Sequence, residues 1–266
     1  MKTTKLIIPY LIWMFIFTVI PLILLVHYAF TTGAGTFTFE NLTRFFSPLY
    51  LNILRRSFSL AIQATLICFV IAYPVAYILS TKEYRDRNVL VFLFIVPMWM
   101  NFLVRTYSWM FILGSNGILN NTLRFFGLDP VTIMFTDTAV LIGLVYTFLP
   151  FMVFPIYSSL QKIDQKIIEG AQDLGADTFD IIKRIIFPLS LPGIASGLTM
   201  VFMPAVATFL ISNLLGGGQF ILIGNLIEQQ FLSVGNRNFG SMISIILLAL
   251  TLICNFFLSN MSKEEE

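Results

Sequence analysis

Charge is scarce in this sequence of 266 residues, because Asp, Glu, Lys and Arg make up 11% of it, against 57% for hydrophobic residues. With a mean hydropathy of +0.86, the chain has too little polar surface to cover a soluble globule. The composition therefore predicts a membrane protein, with bilayer lipid as its main surroundings. A net charge of +2 and the lack of a basic patch interleaved with aromatic residues also argue against nucleic-acid binding.

Metal-ligating and catalytic side chains are equally scarce. The one histidine, His27, and the two cysteines, Cys68 and Cys254, all lie in apolar stretches, so they form neither a histidine-based triad nor a metal cage. No Asp or Glu falls within the membrane spans predicted below, which removes paired intramembrane acids and the usual proton or sodium relay. We therefore predict no catalytic residue and no metal site.

A nucleotide-binding loop is also missing. A P-loop needs a Gly-Lys pair at its end to hold phosphates, and no such pair occurs in the chain. The one glycine run, residues 216–218, lacks the lysine and predicts a flexible or tightly turning segment. No cofactor is expected in this chain.

What the chain has is a series of six long apolar stretches. A membrane span needs about 20 mainly apolar residues, and the connections are too short for an ordinary soluble domain. The predicted fold is all-α and polytopic, with one transmembrane domain over residues 1–266. The predicted spans are 7–30, 57–80, 89–112, 138–160, 190–212 and 239–260, with a polar loop at 161–189.

Lys and Arg residues in the connections predict the orientation. With the N-terminus inside, ten of these residues are cytoplasmic and five are external, while Arg105 lies within a span. Both termini and the loop 161–189 are therefore expected in the cytoplasm.

The loop 161–189 has the pattern of two short helices. Four apolar residues in it recur at helical spacing and are expected on one face of an amphipathic helix: Ile163, Ile167, Ala171 and Leu174. Gly175 is suited to end that helix at positive φ. Asp177 is expected to cap a second helix from about residue 178, and Pro188 to end it.

The same loop carries a spaced motif. Glu169-Gly170-Ala171 is followed after three residues by Gly175, and nine residues later by Ile185-Ile186-Phe187-Pro188. This resembles the EAA loop of the permease subunits of ABC importers, with Gly170 in place of one Ala and Phe187 in place of Leu. The resemblance implies a coupling helix that inserts into a separate ATPase. The coupling residues it implies are Glu169, Gly170, Ala171, Gly175, Ile185 and Pro188.

Other stretches narrow the resemblance to the PotB family of spermidine/putrescine permeases. They include Ala72-Tyr73-Pro74-Val75-Ala76, Val96-Pro97-Met98-Trp99 and Leu222-Ile223-Gly224-Asn225. This implies a polyamine importer of a bacterial inner membrane that works by alternating access. It also implies three partners: a PotA-like ATPase that binds ATP and Mg²⁺, a second permease like PotC, and an extracytoplasmic binding protein like PotD.

Candidates for the substrate pathway follow from the chemistry of a polyamine, which carboxylates and aromatic faces stabilise. Glu228 is the nearest carboxylate to the segment 202–213 that the resemblance places at the cavity, and a solvated loop acid is the alternative for it. Arg105 lies near the end of its span, where snorkelling is the alternative, and Trp99 fits an aromatic belt equally well. The candidates are Trp99, Arg105, Phe202, Phe209, Asn213 and Glu228.

Two other functions stay open at this point. One is an ABC permease for another small solute, which has the same coupling loop but a different passage. The other is an ATP-independent channel or secondary carrier, for which 161–189 would be an interfacial helix pair that only links two spans.

Overall fold

The computed structural model describes residues 2–81, 94, 96–219 and 221–260, and most of these are helical. Only an isolated bridge between Thr31 and Phe37 has β character within these ranges. The α-helices are α1 (Lys2–Met14), α2 (Ile20–Ala29), α3 (Glu40–Phe45), α4 (Pro48–Ser80), α5 (Phe102–Leu113), α6 (Ile118–Phe125), α7 (Asp137–Leu160), α8 (Gln165–Asp173), α9 (Thr178–Ile181), α10 (Phe187–Ala207), α11 (Leu210–Gly216), α12 (Ile223–Glu228) and α13 (Arg237–Asn260).

Two prolines that follow π-helical turns do not break their helices. The π-turn Phe15–Val19 joins α1 to α2 ahead of Pro21, and the π-turn Ile182–Ile186 joins α9 to α10 ahead of Pro188. A proline normally clashes with the preceding turn and removes one hydrogen bond. In a π-turn the backbone hydrogen bond reaches one residue further back than in an α-helix, and in the second turn it runs from the Phe187 N–H to the Ile182 carbonyl. The turn is therefore wider, and it accommodates the proline ring. The prediction that Pro188 ends the second loop helix is therefore wrong.

The centre of the molecule is a bundle of α4, α7 and α10. α4 contributes small residues at steps of three and four, all fully buried: Ala61, Ala64, Cys68, Ala72 and Ala76. Small residues let helix backbones approach closely inside a membrane. The Cys68 Sγ lies 3.6 Å from the Val145 carbonyl oxygen of α7, so Cys68 is a packing residue.

The pair Gly193 and Gly197 provides the matching contact between α10 and α7. A Cβ at Gly193 would lie 2.5 Å from the Ser159 Cβ and 2.6 Å from the Pro155 carbonyl oxygen, and one at Gly197 would lie 2.7 Å from the Met152 Sδ. Only glycine fits at position 193, where a backbone oxygen and a Cβ are in the way, whereas at position 197 the Met152 side chain would have to shift. The Gly-x-x-x-Gly spacing is thus used for close helix packing.

Five helices among the described residues are long and apolar enough to cross a membrane: Ile8–Ala29, Pro48–Ser80, Asp137–Leu160, Thr178–Ala207 and Arg237–Leu258. The second begins nine residues before the predicted 57–80. At 1.5 Å per residue its 33 residues extend about 50 Å, so its first turns, with Arg55 and Arg56, project beyond a hydrocarbon core of about 30 Å.

The predicted spans 89–112 and 190–212 differ most from the structure. Residues 89–93 and 95 lie outside the described part, and the rest of that span is interrupted at Asn101, whose Oδ1 accepts a 2.9 Å bond from the Leu103 amide and caps α5. The other span is wrong in its bounds, because the helix runs from Thr178 to Ala207 and a separate helix, α11, starts at Leu210.

The first span lies on the periphery. None of the residues in the most apolar window of Ile8–Ala29 is buried within the chain, and α2 packs mainly on α13. Asn238 at the start of α13 fixes this contact, since its Nδ2 donates to the carbonyl oxygens of Tyr28 at 3.0 Å and Thr31 at 2.7 Å. The span therefore leaves most of its apolar surface to the bilayer or to another subunit.

Candidate coupling loop and helix-break site

The loop between α7 and α10 forms the predicted pair of short helices. Asp164 caps α8 by accepting a 3.0 Å bond from the Lys166 amide. Asp177 caps α9 in the same way, accepting a 2.7 Å bond from the Asp180 amide. Each side chain satisfies an amide that a helix start would leave unpaired.

Gly175 ends α8 in a Schellman motif. Its φ is +82°, its amide donates to the Gln172 carbonyl at 2.9 Å, and the Ala176 amide donates to the Ala171 carbonyl at 3.0 Å. This pair of bonds requires a left-handed residue at the glycine position. The sharp turn between α8 and α9 therefore depends on Gly175.

The four apolar residues predicted to share one helical face do not do so, and only Ile167 and Ala171 of them lie within α8. Ile163 and Ala171 pack against the core together with Ile168, whereas the side chains of Ile167 and Leu174 are 49% and 90% exposed. Helical spacing alone did not resolve this split because α8 ends before Leu174, which lies in the turn. With Phe179, 69% exposed, these residues form an exposed apolar set comprising Ile167, Leu174 and Phe179.

The remaining motif residues surround this set. Glu169 and Gly170 are exposed on α8, and a Cβ at Gly170 would meet open space. Ile185 lies half-buried in the π-turn, and Pro188 lies half-buried in the first turn of α10. The motif thus combines an exposed helix surface, a fixed turn and the connection into the central bundle.

A cavity of about 260 Å³ separates α8 from the bundle. Its walls come from the ends of α4 and α7 and from α8 and α9, through Tyr77, Ser80, Thr81, Leu160, Ile163, Gln165, Ile168, Gln172, Thr178, Ile181 and Ile186. α8 therefore packs on the bundle through Ile168 and Ala171 and borders this cavity through Ile168 and Gln172.

A second polar arrangement lies at the opposite end of the bundle, where α10 stops and α11 begins. The hub is Asn225 on α12, which is 6% exposed. Its Nδ2 donates to the Phe209 carbonyl at 3.0 Å and to the Asn213 Oδ1, and its Oδ1 accepts from the Ser212 hydroxyl and from the Leu222 amide. These bonds replace the helical bonds lost at the break, so Asn225 stabilises the interruption of the helix.

Backbone packing holds α12 against the same break. A Cβ at Gly224 would lie 2.4 Å from the Ala207 carbonyl oxygen, so only glycine permits this approach. The Ile223 amide donates to the Ser57 Oγ of α4 at 2.8 Å. These contacts join the break to α4, α11 and α12. We call the residues with polar groups in this network the helix-break site, which comprises Ser57, Phe209, Ser212, Asn213, Asn225 and Glu228.

Three of the predicted pathway residues meet in this site. The Asn213 Nδ2 donates a 2.8 Å bond to the Glu228 Oε2, and Phe209 contributes its carbonyl. Glu228 has no ion-pair partner among the residues that the structure describes. Its carboxylate therefore keeps an unbalanced negative charge beside a polar network.

The other three pathway residues lie elsewhere. Phe202 is buried edge-on to Phe58 of α4, 5.8 Å between ring centres, and Trp99 is 76% exposed. Arg105 does not snorkel: it is 7% exposed, and its Nη1 donates a 3.0 Å bond to the Pro97 carbonyl. The helix interruption at Asn101 brings that carbonyl within reach, which a straight span would not.

Sequence reasoning missed Ser57, Ser212 and Asn225, because single Ser and Asn residues in apolar stretches are common. Asn225 stands in one of the stretches that carry the family resemblance, directly after a glycine and three residues before an acid, but nothing in that pattern assigns it a role. The reasoning also missed Asp137, which accepts a bidentate contact from Arg56, with the Nη2 at 2.8 and 2.9 Å from the two carboxylate oxygens. Only the structure brings these positions, 81 residues apart, together.

The sequence also matches a known family. A profile described as "Binding-protein-dependent transport system inner membrane component" covers residues 72–263. The chain belongs to this family. It is therefore the multi-pass inner-membrane permease subunit of an ABC importer, a transport component rather than an enzyme.

Two relatives are similar over most of their length. The permease is 42% identical over 243 residues to the spermidine/putrescine transport system permease protein PotB of Escherichia coli (strain K12), covering 88% of each chain. It is 41% identical over 252 residues to PotB of Haemophilus influenzae, covering 92% of this chain and 88% of the relative.

Solved structures agree on the fold. A bacterial ABC transporter involved in the import of the acidic polysaccharide alginate matches with a TM-score of 0.85 at 20% identity, over 99% of the permease and 96% of that chain. The MetNI methionine ABC transporter matches with a TM-score of 0.59 at 20% identity, over 82% of the permease and 98% of that chain. The permease thus has the ABC importer permease fold.

Proposed function

We propose that this permease imports polyamines, spermidine or putrescine, by alternating access driven by a separate ATPase. The single observation that carries the substrate is the similarity to PotB at 42% identity over 88% of the chain. The partners that follow are a PotA-like ATPase holding ATP and Mg²⁺, a PotC-like second permease and a PotD-like binding protein. Both termini and the coupling loop lie in the cytoplasm, as the excess of Lys and Arg on that side indicates.

The coupling loop transmits the movement of the ATPase to the permease. The exposed apolar set, Ile167, Leu174 and Phe179, has the form of an anchor for an apolar groove, and exposed large apolar groups of this kind mark binding surfaces. An ion pair between the Arg184 Nε and the Asp180 Oδ1, 2.9 Å apart, stiffens the helix that carries Phe179. The groove belongs to the ATPase, and Glu169 contacts it from the polar side of α8. Movement of the ATPase then tilts α8 across the cavity behind it and reaches α10 through the π-turn.

The cation passes the helix-break site. One oxygen of the Glu228 carboxylate is held by Asn213, so the other is available for an ammonium group, and a charge-assisted hydrogen bond of this kind is about twice as strong as a neutral one. Asn225 fixes the amide orientation of Asn213 and so directs its Nδ2 at Glu228. Arg105, Trp99 and Phe202 lie outside this contact and line other parts of the passage or its walls.

The substrate is tested in cells that lack the gene. We expect loss of high-affinity uptake of labelled spermidine or putrescine, restored by the wild-type gene, and no competition by amino acids or sugars in wild-type cells. Normal polyamine uptake in the deletion, together with loss of another solute, would instead identify a permease for that solute.

Glu228→Gln tests the passage. The change keeps the size of the side chain and its bond to Asn213 but removes the charge. Loss of one exposed charged contact of about 1 kcal/mol raises the KM for polyamine uptake about fivefold. Glu40→Gln on α3 is the matched control, because Glu40 is an exposed acid in a helix joined to the same end of the bundle. Equal KM values for the two variants would remove Glu228 from the passage.

A further inference from the structure

The segment from α6 to Val131 presents a set of large apolar side chains that the chain itself does not cover. Phe125 and Phe126 are 85% and 71% exposed, and Ile118, Leu128 and Val131 are 55%, 58% and 47% exposed. The two phenylalanine rings contact each other edge to face, 5.5 Å between centres. A contiguous apolar surface of this kind marks a contact with another molecule or with lipid.

The backbone of this segment is fixed. The Asn120 Nδ2 donates to the carbonyl oxygens of Gly114 at 3.1 Å and Val131 at 3.0 Å, while its Oδ1 accepts a 2.7 Å bond from the Val131 amide. Gly127, at φ +72°, ends α6, and the Leu128 amide donates to the Leu123 carbonyl at 2.9 Å. The exposed rings therefore project from an ordered platform.

The apolar surface continues from the exposed side of α5. Val104, Tyr107 and Phe111 are 57%, 54% and 70% exposed and recur at steps of three and four, so they share one helical face. Only the turn at residues 114–117 separates this face from Ile118. Because the segment leads into the start of α7, it lies at the end of the bundle opposite the coupling loop.

Charge does not oppose contact with a membrane. Residues 114–136 hold one cation, Arg124, and one acid, Asp129. The guanidinium of Arg124 turns back along the helix, with its Nη2 3.3 Å from the Ser115 carbonyl and its Nη1 3.4 Å from the Asn116 Oδ1. The segment thus has a polar edge at Ser115, Asn116 and Arg124 and an apolar edge at Ile118 and Phe125.

We propose that α6 and the residues after it are an interfacial anchor, which inserts Phe125, Phe126 and Leu128 into the bilayer leaflet at the end opposite the coupling loop. An amphipathic segment buries such side chains about 5–10 Å deep, at the boundary of headgroups and acyl chains. Its occupant is lipid because its apolar edge prolongs the exposed apolar side of α5, which lies in the apolar stretch predicted to span the membrane. A face for a soluble protein would instead point away from the bilayer.

The anchor is attached to the helix-break site. Phe135 has φ +64°, an unusual value for a residue other than glycine, and its amide donates a 2.9 Å bond to the Leu215 carbonyl at the end of α11. A Cβ on Gly217 would lie 2.1 Å from the Phe135 ring, so ring and backbone are in close contact. Lipid held by Phe125 and Phe126 therefore fixes the height of α11 relative to the membrane surface.

Spin labels on single introduced cysteines test this proposal. The permease carries Cys68→Ala and Cys254→Ala, which remove its own two cysteines, with Phe125→Cys, Phe126→Cys or the control Ser115→Cys. It is assembled with its partner subunits and reconstituted into liposomes of phosphatidylethanolamine and phosphatidylglycerol. We expect labels at 125 and 126 to collide more often with oxygen, which concentrates in lipid, than with water-soluble nickel-EDDA. The label at 115, on the polar edge, is expected to show the reverse.

Two outcomes would overturn the anchor. Preference for nickel-EDDA at 125 and 126 would place these residues in water. Labels at these positions that are shielded from both reagents, and become accessible when the binding protein or the second permease is omitted, would identify a protein partner instead of lipid. Assembly of each labelled variant is checked beforehand by size-exclusion chromatography.

Discussion

Gly175→Val is expected to leave the permease inserted and assembled into the bundle but to abolish most of its coupled transport. The Schellman motif at the end of α8 needs φ +82° at this position, and a β-branched side chain in that region costs about 1–3 kcal/mol. A Cβ at Gly175 would meet no atom within 4 Å, so the penalty is one of backbone conformation alone. The turn must change, and Leu174 and Phe179 move with it.

If the free energy of coupling falls by about 1–3 kcal/mol, coupled activity falls about fivefold to 150-fold. We expect that loss in two quantities measured on the purified complex in liposomes: the stimulation of ATP hydrolysis by loaded binding protein, and the uptake that accompanies it. Gly170→Ala is the matched control. It lies five residues away on α8 with open space around its Cβ, and alanine is the better helix former by about 1 kcal/mol. Equal activity of both variants would mean that the turn has no part in coupling.

Gly193→Val is expected to destabilise the bundle. Its side chain would enter the contact between α10 and α7, where the Ser159 Cβ and the Pro155 carbonyl oxygen already lie 2.5 and 2.6 Å from an added Cβ. Overpacking of this kind typically costs about 1–3 kcal/mol, and backbone atoms cannot move aside as a flexible side chain can. We expect a clear fall in the apparent thermal midpoint and in the yield of assembled complex.

Ser196→Val on the same helix is the control for that change. Ser196 is exposed, and its hydroxyl donates to the Pro192 carbonyl one turn earlier, at 2.8 Å. The same side chain is thus introduced three residues away on the outside of the bundle, where we expect little effect. If the two variants had equal stability, the close contact of α10 and α7 would not be important for the fold.

The helical class, the family and the pair of short helices in the loop 161–189 were predictable from sequence because each leaves a local pattern. Apolar runs identify spans, Asp177 precedes α9, and Gly175 follows the last turn of α8. That the helix continues through Pro188 was not predictable. It depends on the π-turn Ile182–Ile186, and the sequence of that turn does not distinguish it from an α-helical turn. The exposure of Leu174 also depends on where α8 ends, which helical periodicity does not fix.

The helix-break site was harder to predict because it depends on contacts between distant segments. Asn213 and Glu228 were candidates by residue type, but the apolar run 185–227 gives no sign that its helix stops at Ala207. The break depends on Asn225 reaching the Phe209 carbonyl and on Gly224 lying against α10. For the same reason the burial of Arg105 follows from the interruption at Asn101 rather than from its depth in a straight span.

The most direct measurement of the central claim is uptake of labelled spermidine by liposomes that contain the permease alone or with its ATPase, second permease and binding protein. The account predicts accumulation only with the full set of subunits, ATP and Mg²⁺, and its loss when the ATPase cannot hydrolyse ATP. Robust uptake by the permease alone without ATP would contradict it, because an ATP-independent carrier would have no use for the coupling loop.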